Sequence, residues 1–271
     1  MALRIADIPI GRGAPLVLIG GLNVIEDESG AIGCAHEIAR TAGRHGIPAI
    51  FKASFDKANR TRFDAYRGPG LEAGLRVLAA VKRATGLPLL TDVHEPAQAK
   101  RAAEIVDCLQ IPAMLCRQTD LLAACAATGL PINLKKGQFV APGDIVHAID
   151  KLTRLGASSV MVTERGTQFG HRDLVVDMRG LVEMRVHAPV CFDATHSVQR
   201  PGAADGASGG DRRYVAPLAR AAVAVGIDAL FVEIHPDPAN APVDGACQID
   251  AAALDRLLGE VKAIDAALRN T

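Results

Sequence analysis

The chain has no tryptophan, and aromatic residues occupy only 3% of its 271 positions. Stacking platforms for single-stranded nucleic acid and aromatic clefts for sugars are therefore poor readings of it. Net charge is also missing, since 30 acidic side chains balance 30 basic ones, and a general nucleic-acid binder would carry a basic excess. The six cysteines, from Cys34 to Cys247, form no CxxC pair. They read as small core hydrophobes of a reduced compartment rather than a disulfide scaffold. No apolar run approaches the roughly 20 residues of a membrane span. The opening MALRIADIPIGRG lacks the basic start, apolar run and cleavage site of a secretory leader. The expectation is a soluble, cytoplasmic protein.

Small and branched apolar residues are plentiful, within a hydrophobic fraction of 49%. Eight short runs stand out, bounded by Gly or Pro: Pro15–Gly20, Pro48–Lys52, Pro88–Val93, Cys108–Pro112, Pro131–Lys135, Ser159–Glu164, Pro189–His196 and Ala229–His235. Each is apolar at nearly every position before its last residues, as in a parallel strand covered on both faces. Helical patterns separate them, including Gly70–Thr85, Pro96–Val106, Asp120–Thr128, Gly143–Leu155 and Arg213–Val225, and Asp250–Leu268 closes the chain. Gly followed by Pro, as in GLP at Gly86, stops a helix and opens the next strand. Eight such units without a linker predict a single (β/α)8 TIM barrel domain over residues 1–271, with Leu3–Ile10 as a short N-terminal β-hairpin under its floor and GRG as the turn. An open doubly wound sheet is the competing architecture, but no GxGxxG follows any strand.

Residues at the C-terminal ends of barrel strands converge on one mouth. Here those ends are polar: Asn23 just beyond the first run, then Lys52 and Ser54, Asp92 and His94, Gln110, Lys135 and Lys136, Glu164 and Arg165, Asp193 and His196, and finally Glu233, His235 and Asp237. Lys57, Arg60, Arg62, Arg67 and Arg117 make the mouth cationic. Clustered cations call for an anion among them, and several call for more than one phosphate or carboxylate. Asp193, His196, Glu233, His235 and Asp244 form a second constellation, fit for a divalent metal or for acid/base work. The Gly-rich stretch Gly202–Gly210 lacks a P-loop lysine and reads as a lid over the mouth or as a solvated linker.

The stretches KASFDKANRTR, YRGPG, TDVHEP, QIPAMLCRQTDL, NLKKGQF, TERGTQFG, FDATHSVQ, SGG and EIHPDP closely resemble the 3-deoxy-D-manno-octulosonate 8-phosphate synthases, also called 2-dehydro-3-deoxyphosphooctonate aldolases. The likeness runs from about Leu16 to Ile264. It implies a cytoplasmic homotetrameric barrel enzyme of lipopolysaccharide synthesis that condenses phosphoenolpyruvate with D-arabinose 5-phosphate and water. By motif, it implies that Lys52, Ser54, Lys57, Gln110, Lys135, Arg165 and His196 serve phosphoenolpyruvate, with Asp92 in support. Asn59, Arg60 and Thr61 would serve the sugar phosphate, and Arg117 would reach a neighbouring subunit's site. Arg62 departs from the family's usual second serine after KANR. His196 and Asp244 are the candidates for water activation, with Asn23, Lys57 and Lys135 as further catalytic residues and Glu233 among those that bind substrate. Metal-dependent members carry a cysteine where this chain has Asn23, so the resemblance implies the metal-independent type, with no cofactor. A Schiff-base aldolase, a 3-deoxy-heptulosonate-phosphate-type synthase and a non-catalytic sugar-phosphate binding barrel are the competing functions.

Overall fold

A computed structural model describes residues 2–168, 173–204 and 207–269. The last two residues of TERGTQFG and the centre of the Gly-rich stretch lie outside that set. Eight parallel strands close into a barrel: Val17–Val24, Ala49–Ser54, Leu89–Asp92, Cys108–Ile111, Ile132–Lys135, Val160–Glu164, Val190–Asp193 and Ala229–Glu233, with the last paired to the first. All eight predicted runs are present. The first runs further than expected, so Asn23 lies on the strand and not beyond it. The seventh and eighth stop earlier, and His196 opens a short 3-10 turn. Outer helices include Glu28–Arg44 and Met178–Arg185, neither of which was picked out above, as well as Leu71–Thr85 and Ala251–Arg269. Leu71–Thr85 is closed by Gly86 in the left-handed conformation, φ 69°, as the GLP pattern predicts.

Two apolar layers build the fold, and side-chain alternation separates them. One set of strand residues faces the helices, where Leu18, Phe51, Leu109, Leu134 and Phe192 join the main core. The inward set at the barrel floor is also apolar: Val17, Ile19, Ile50, Leu90, Cys108, Met161, Cys191, Ala229 and Phe231. Leu3, Ile5 and Ile10 of the N-terminal hairpin plug this floor from below. The hairpin's strands, Ala2–Ile5 and Ile8–Gly11, turn at Ala6 and Asp7; GRG instead turns the chain out of the hairpin towards the barrel.

Two residues further along each strand, the inward position becomes polar. Ile50 is followed by Lys52, Leu90 by Asp92, Cys108 by Gln110, Met161 by Thr163, Cys191 by Asp193 and Phe231 by Glu233. The barrel is thus an apolar tube below and a polar funnel above. In the first strand this position is Gly21, and only glycine fits: a Cβ there would lie 1.9 Å from the Lys52 carbonyl oxygen. The register shifts between Gly21 and Val24. All six cysteines are buried and free.

Candidate active site

The funnel floor is a continuous network of buried polar groups. Lys52, 1% exposed, donates from Nζ to Glu233 Oε1 at 3.0 Å and Ser54 Oγ at 2.9 Å. Ser54 in turn donates to Asp92, whose other oxygen lies 3.1 Å from His94 Nε2. On the opposite side, Asp193 Oδ2 meets Lys135 Nζ at 2.5 Å and His196 Nδ1 at 2.7 Å. His196 Nε2 lies 3.5 Å from Glu233 Oε2 and 4.0 Å from Asp244 Oδ2. Asn23 closes the ring, its Nδ2 donating to Glu233 Oε2 at 2.6 Å and to Asp244 Oδ2 at 3.2 Å. The two lysines rest on the Phe231 ring, 4.1 Å from its centroid for Lys135 and 5.6 Å for Lys52, so one aromatic face divides the apolar floor from the charged mouth.

Burial decides how these charges settle. It raises the Glu233 carboxyl, but His196, Lys52, Lys57 and Lys135 overcome that and hold it down to about 2. Asp193 is likewise pushed up by burial and pulled far below the usual carboxylate range by His196 and Lys135. Asp92 follows the same pattern, with Lys52 the main opposing charge. Lys57 goes the other way. Burial and the neighbouring Lys52 lower it to about 8, against the pull of Glu233, Asp92 and Asp244.

Above the floor lie two adjoining cavities. The inner one is lined by Lys52, Lys57, Asp92, His94, Gln110, Lys135, Arg165 and His196. The outer one is lined by Asn59, Arg60, Thr61, Gln199, Ser208 and Asp244. Lys57, Asn59, Met114, Gln138, Arg165 and His196 border both. Arg60 Nε and Arg165 Nη1 are buried with no hydrogen-bond partner among the described residues. Unpaired guanidinium donors at a cavity wall are what a bound phosphate or carboxylate would satisfy. Burial also lowers the Arg165 guanidinium.

Most of the residues singled out from sequence meet here, with some redistribution. Ser54, Asn23 and Glu233 are buried beneath the cavities, hydrogen-bonded to Lys52 or Asp244. Arg117 does not reach this mouth; it lines a separate hollow with Phe139 and Lys151. Arg62 and Arg67 form exposed pairs with Asp64 and Asp56. His235 turns away to Glu26 and Asp237 and leaves the carboxylate constellation. Lys136 and Glu164 are buried behind the wall, 3.6 Å apart. The Gly-rich stretch belongs to a hairpin, Gln199–Ala204 with Ala207–Gly210, whose Gln199 accepts from Arg165.

A sequence profile described as the DAHP synthetase I family matches residues 1–269. The chain belongs to this family. Similar relatives named 2-dehydro-3-deoxyphosphooctonate aldolase agree over nearly the full length. One from Syntrophotalea carbinolica is 50% identical over 268 residues, 98% of this chain and 97% of the relative. One from Cyanothece sp. is 54% identical over 263 residues, 97% and 96% of the two chains. One from Rickettsia bellii is 52% identical over 264 residues, again 97% and 96%.

For a family member, several site residues escaped selection from sequence. Asn133 donates to Gln110 Oε1 at 3.1 Å and accepts from Thr163 Oγ1 at 2.6 Å. Two-residue alternation back from Lys135 points to Asn133, and back from Arg165 to Thr163. His94 was read as a rim residue only, although its contact with Asp92 puts it in the network. Gln138 and Gln199 come from loop geometry and carry no spacing signal.

Proposed function

We infer that the chain catalyses the aldol-type condensation of phosphoenolpyruvate with D-arabinose 5-phosphate and water, giving 3-deoxy-D-manno-octulosonate 8-phosphate and phosphate. It is a carbon–carbon bond-forming transferase, and its product belongs to lipopolysaccharide synthesis. The observation that carries this reading is the pair of adjoining cation-walled cavities, one for each anionic substrate, in a barrel whose full-length relatives bear the aldolase name. Arg165, Lys135 and Lys57 would hold the carboxylate and phosphate of phosphoenolpyruvate in the inner cavity. Asn59, Arg60 and Thr61 would take the sugar phosphate in the outer one. Arg117, remote from its own mouth, suits a site completed by a second subunit, and a cytoplasmic homotetramer is proposed.

In the reaction, C3 of the enol attacks the aldehyde, whose oxygen takes up a proton, and water adds at C2. The resulting hemiketal phosphate then breaks its C–O bond, releasing phosphate and leaving the C2 keto group. Lys135 and Arg165 would compensate negative charge on the phosphate and carboxylate from fixed positions, which is the larger kind of catalytic contribution. Holding both substrates at adjoining sites supplies orientation. His196, held through Nδ1 by Asp193 with Nε2 facing Asp244, is placed to handle the proton of the attacking water.

We also propose that no metal is required. Asn23 places an amide NH2 between Glu233 and Asp244, satisfying both carboxylates where a cation would otherwise stand. Asn23 supplies no thiolate, so His196, Glu233 and Asp244 lack a soft anionic fourth donor. The test is phosphate release with both substrates before and after exhaustive chelation. Equal rates are expected; activity lost on chelation and restored by manganese, zinc or iron would contradict metal independence.

Lys57 sets a pH limit. With its pKa lowered to about 8, the free enzyme carries this cation below pH 8 and loses it above. The expected result is a fall in kcat/KM for phosphoenolpyruvate as pH rises through about 8, since this ratio reports the free enzyme's groups. Lys57→Arg should move the fall to higher pH. An unchanged profile in the variant would remove Lys57 from anion binding.

A further inference from the structure

Gln138 is a neutral residue that borders both cavities and carries a buried polar atom. Its Oε1 finds no hydrogen-bond partner among the described residues, while the residue borders both spaces. The turn that carries it is held tightly. The buried Lys136 Nζ donates to the carbonyls on either side of it, Gly137 at 3.2 Å and Val140 at 3.0 Å, and Gln168 N donates to the Gln138 carbonyl at 3.0 Å. A buried lysine with Glu164 as its counter-charge thus fixes a loop whose side chain faces the mouth.

We propose that Gln138 is a specificity-determining residue that accepts a hydrogen bond from a hydroxyl of the aldose phosphate. The proposal rests on the reaction assigned above. Lys57, Arg60 and Arg165 carry the cations that suit anions, whereas a sugar hydroxyl donating its proton needs a neutral acceptor, and Gln138 carries an unpaired Oε1 on a side chain that borders both cavities. A site built around such an acceptor discriminates against a ligand lacking the donor, because the acceptor is then left buried and unpaired.

The experiment compares wild type with Gln138→Met and Gln138→Leu, using D-arabinose 5-phosphate and its 2-deoxy and 3-deoxy analogues at saturating phosphoenolpyruvate. Both replacements keep the bulk of the side chain and remove the acceptor, and circular dichroism checks that each variant folds. For wild type, one deoxy analogue should lose at least about tenfold in kcat/KM. In the variants that same penalty should shrink to under about threefold, with KM for phosphoenolpyruvate within about twofold of wild type. Deoxy penalties equal in wild type and variants, or a change falling on phosphoenolpyruvate instead, would overturn the proposal. Failure of wild type to turn over arabinose 5-phosphate would strike the reaction assignment, so the two failures are separable.

Discussion

Replacing Lys135 by methionine is expected to lower kcat/KM for phosphate release by at least about 10²–10³-fold, the scale of removing one fixed donor that stabilises developing charge. Lys135 lines the inner cavity and sits 2.5 Å from Asp193. Its loss removes a cation facing the inner cavity and leaves Asp193 with His196 as its remaining side-chain partner. Folding should survive, because Asp193 keeps both His196 contacts, from the backbone N at 2.8 Å and from Nδ1 at 2.7 Å. Steady-state kinetics beside a thermal melt would separate the effects. Turnover within a few fold of wild type would remove Lys135 from the catalytic group.

Replacing Lys52 by methionine tests the layer below. Lys52 is surrounded by Glu233 at 3.0 Å and Asp92 at 3.9 Å, and removing one partner of a buried pair typically costs about 3–5 kcal/mol because the other charge stays buried and uncompensated. Denaturant unfolding should report that loss. Adding Glu233→Gln should recover part of it, since neighbours in one network are not additive. A variant as stable as wild type would mean that water or rearrangement reaches these carboxylates, contrary to the closed floor described here. The loss should also depend on pH. Glu233 is held down to about 2 in the folded protein, below its ordinary value, so its favourable pairing is present above the unfolded carboxyl pKa and disappears as pH falls towards 2.

The barrel was legible because its strands are buried on both faces, and continuous apolar runs between Gly and Pro announce that directly. What was not picked out was the helix Glu28–Arg44, whose GAIGCAHEIA core follows the first strand directly. The end of the first strand was also misjudged, because GGLN reads as a turn until the close approach of Gly21 to Lys52 is known. Strand ends pointed to Lys52, Asp92, Lys135, Asp193 and Glu233, which the barrel brings into one buried network, since inward alternation is strict. They could not tell which neighbour faces the funnel. Lys136 follows Lys135, and Glu164 precedes Arg165, yet one member of each pair enters the mouth and the other braces the wall. His235 was grouped with Glu233 because two-residue alternation puts both on one face, but the strand ends at Glu233 and His235, beyond it, turns to Glu26 and Asp237.

The balanced charge of the whole chain likewise conceals local separation. Exposed pairs such as Arg62–Asp64 and Arg213–Asp211 are worth little individually. In the mouth, by contrast, Arg60 and Arg165 keep donors without a partner among the described residues, as an anion site requires.

The most direct test of the account is phosphate release from phosphoenolpyruvate by the purified chain, with D-arabinose 5-phosphate and with erythrose 4-phosphate as alternative acceptors. The account predicts release that requires an aldose phosphate and strongly prefers arabinose 5-phosphate, with the eight-carbon keto sugar phosphate formed in equal amount. Preference for erythrose 4-phosphate, or binding of both substrates without release, would contradict it.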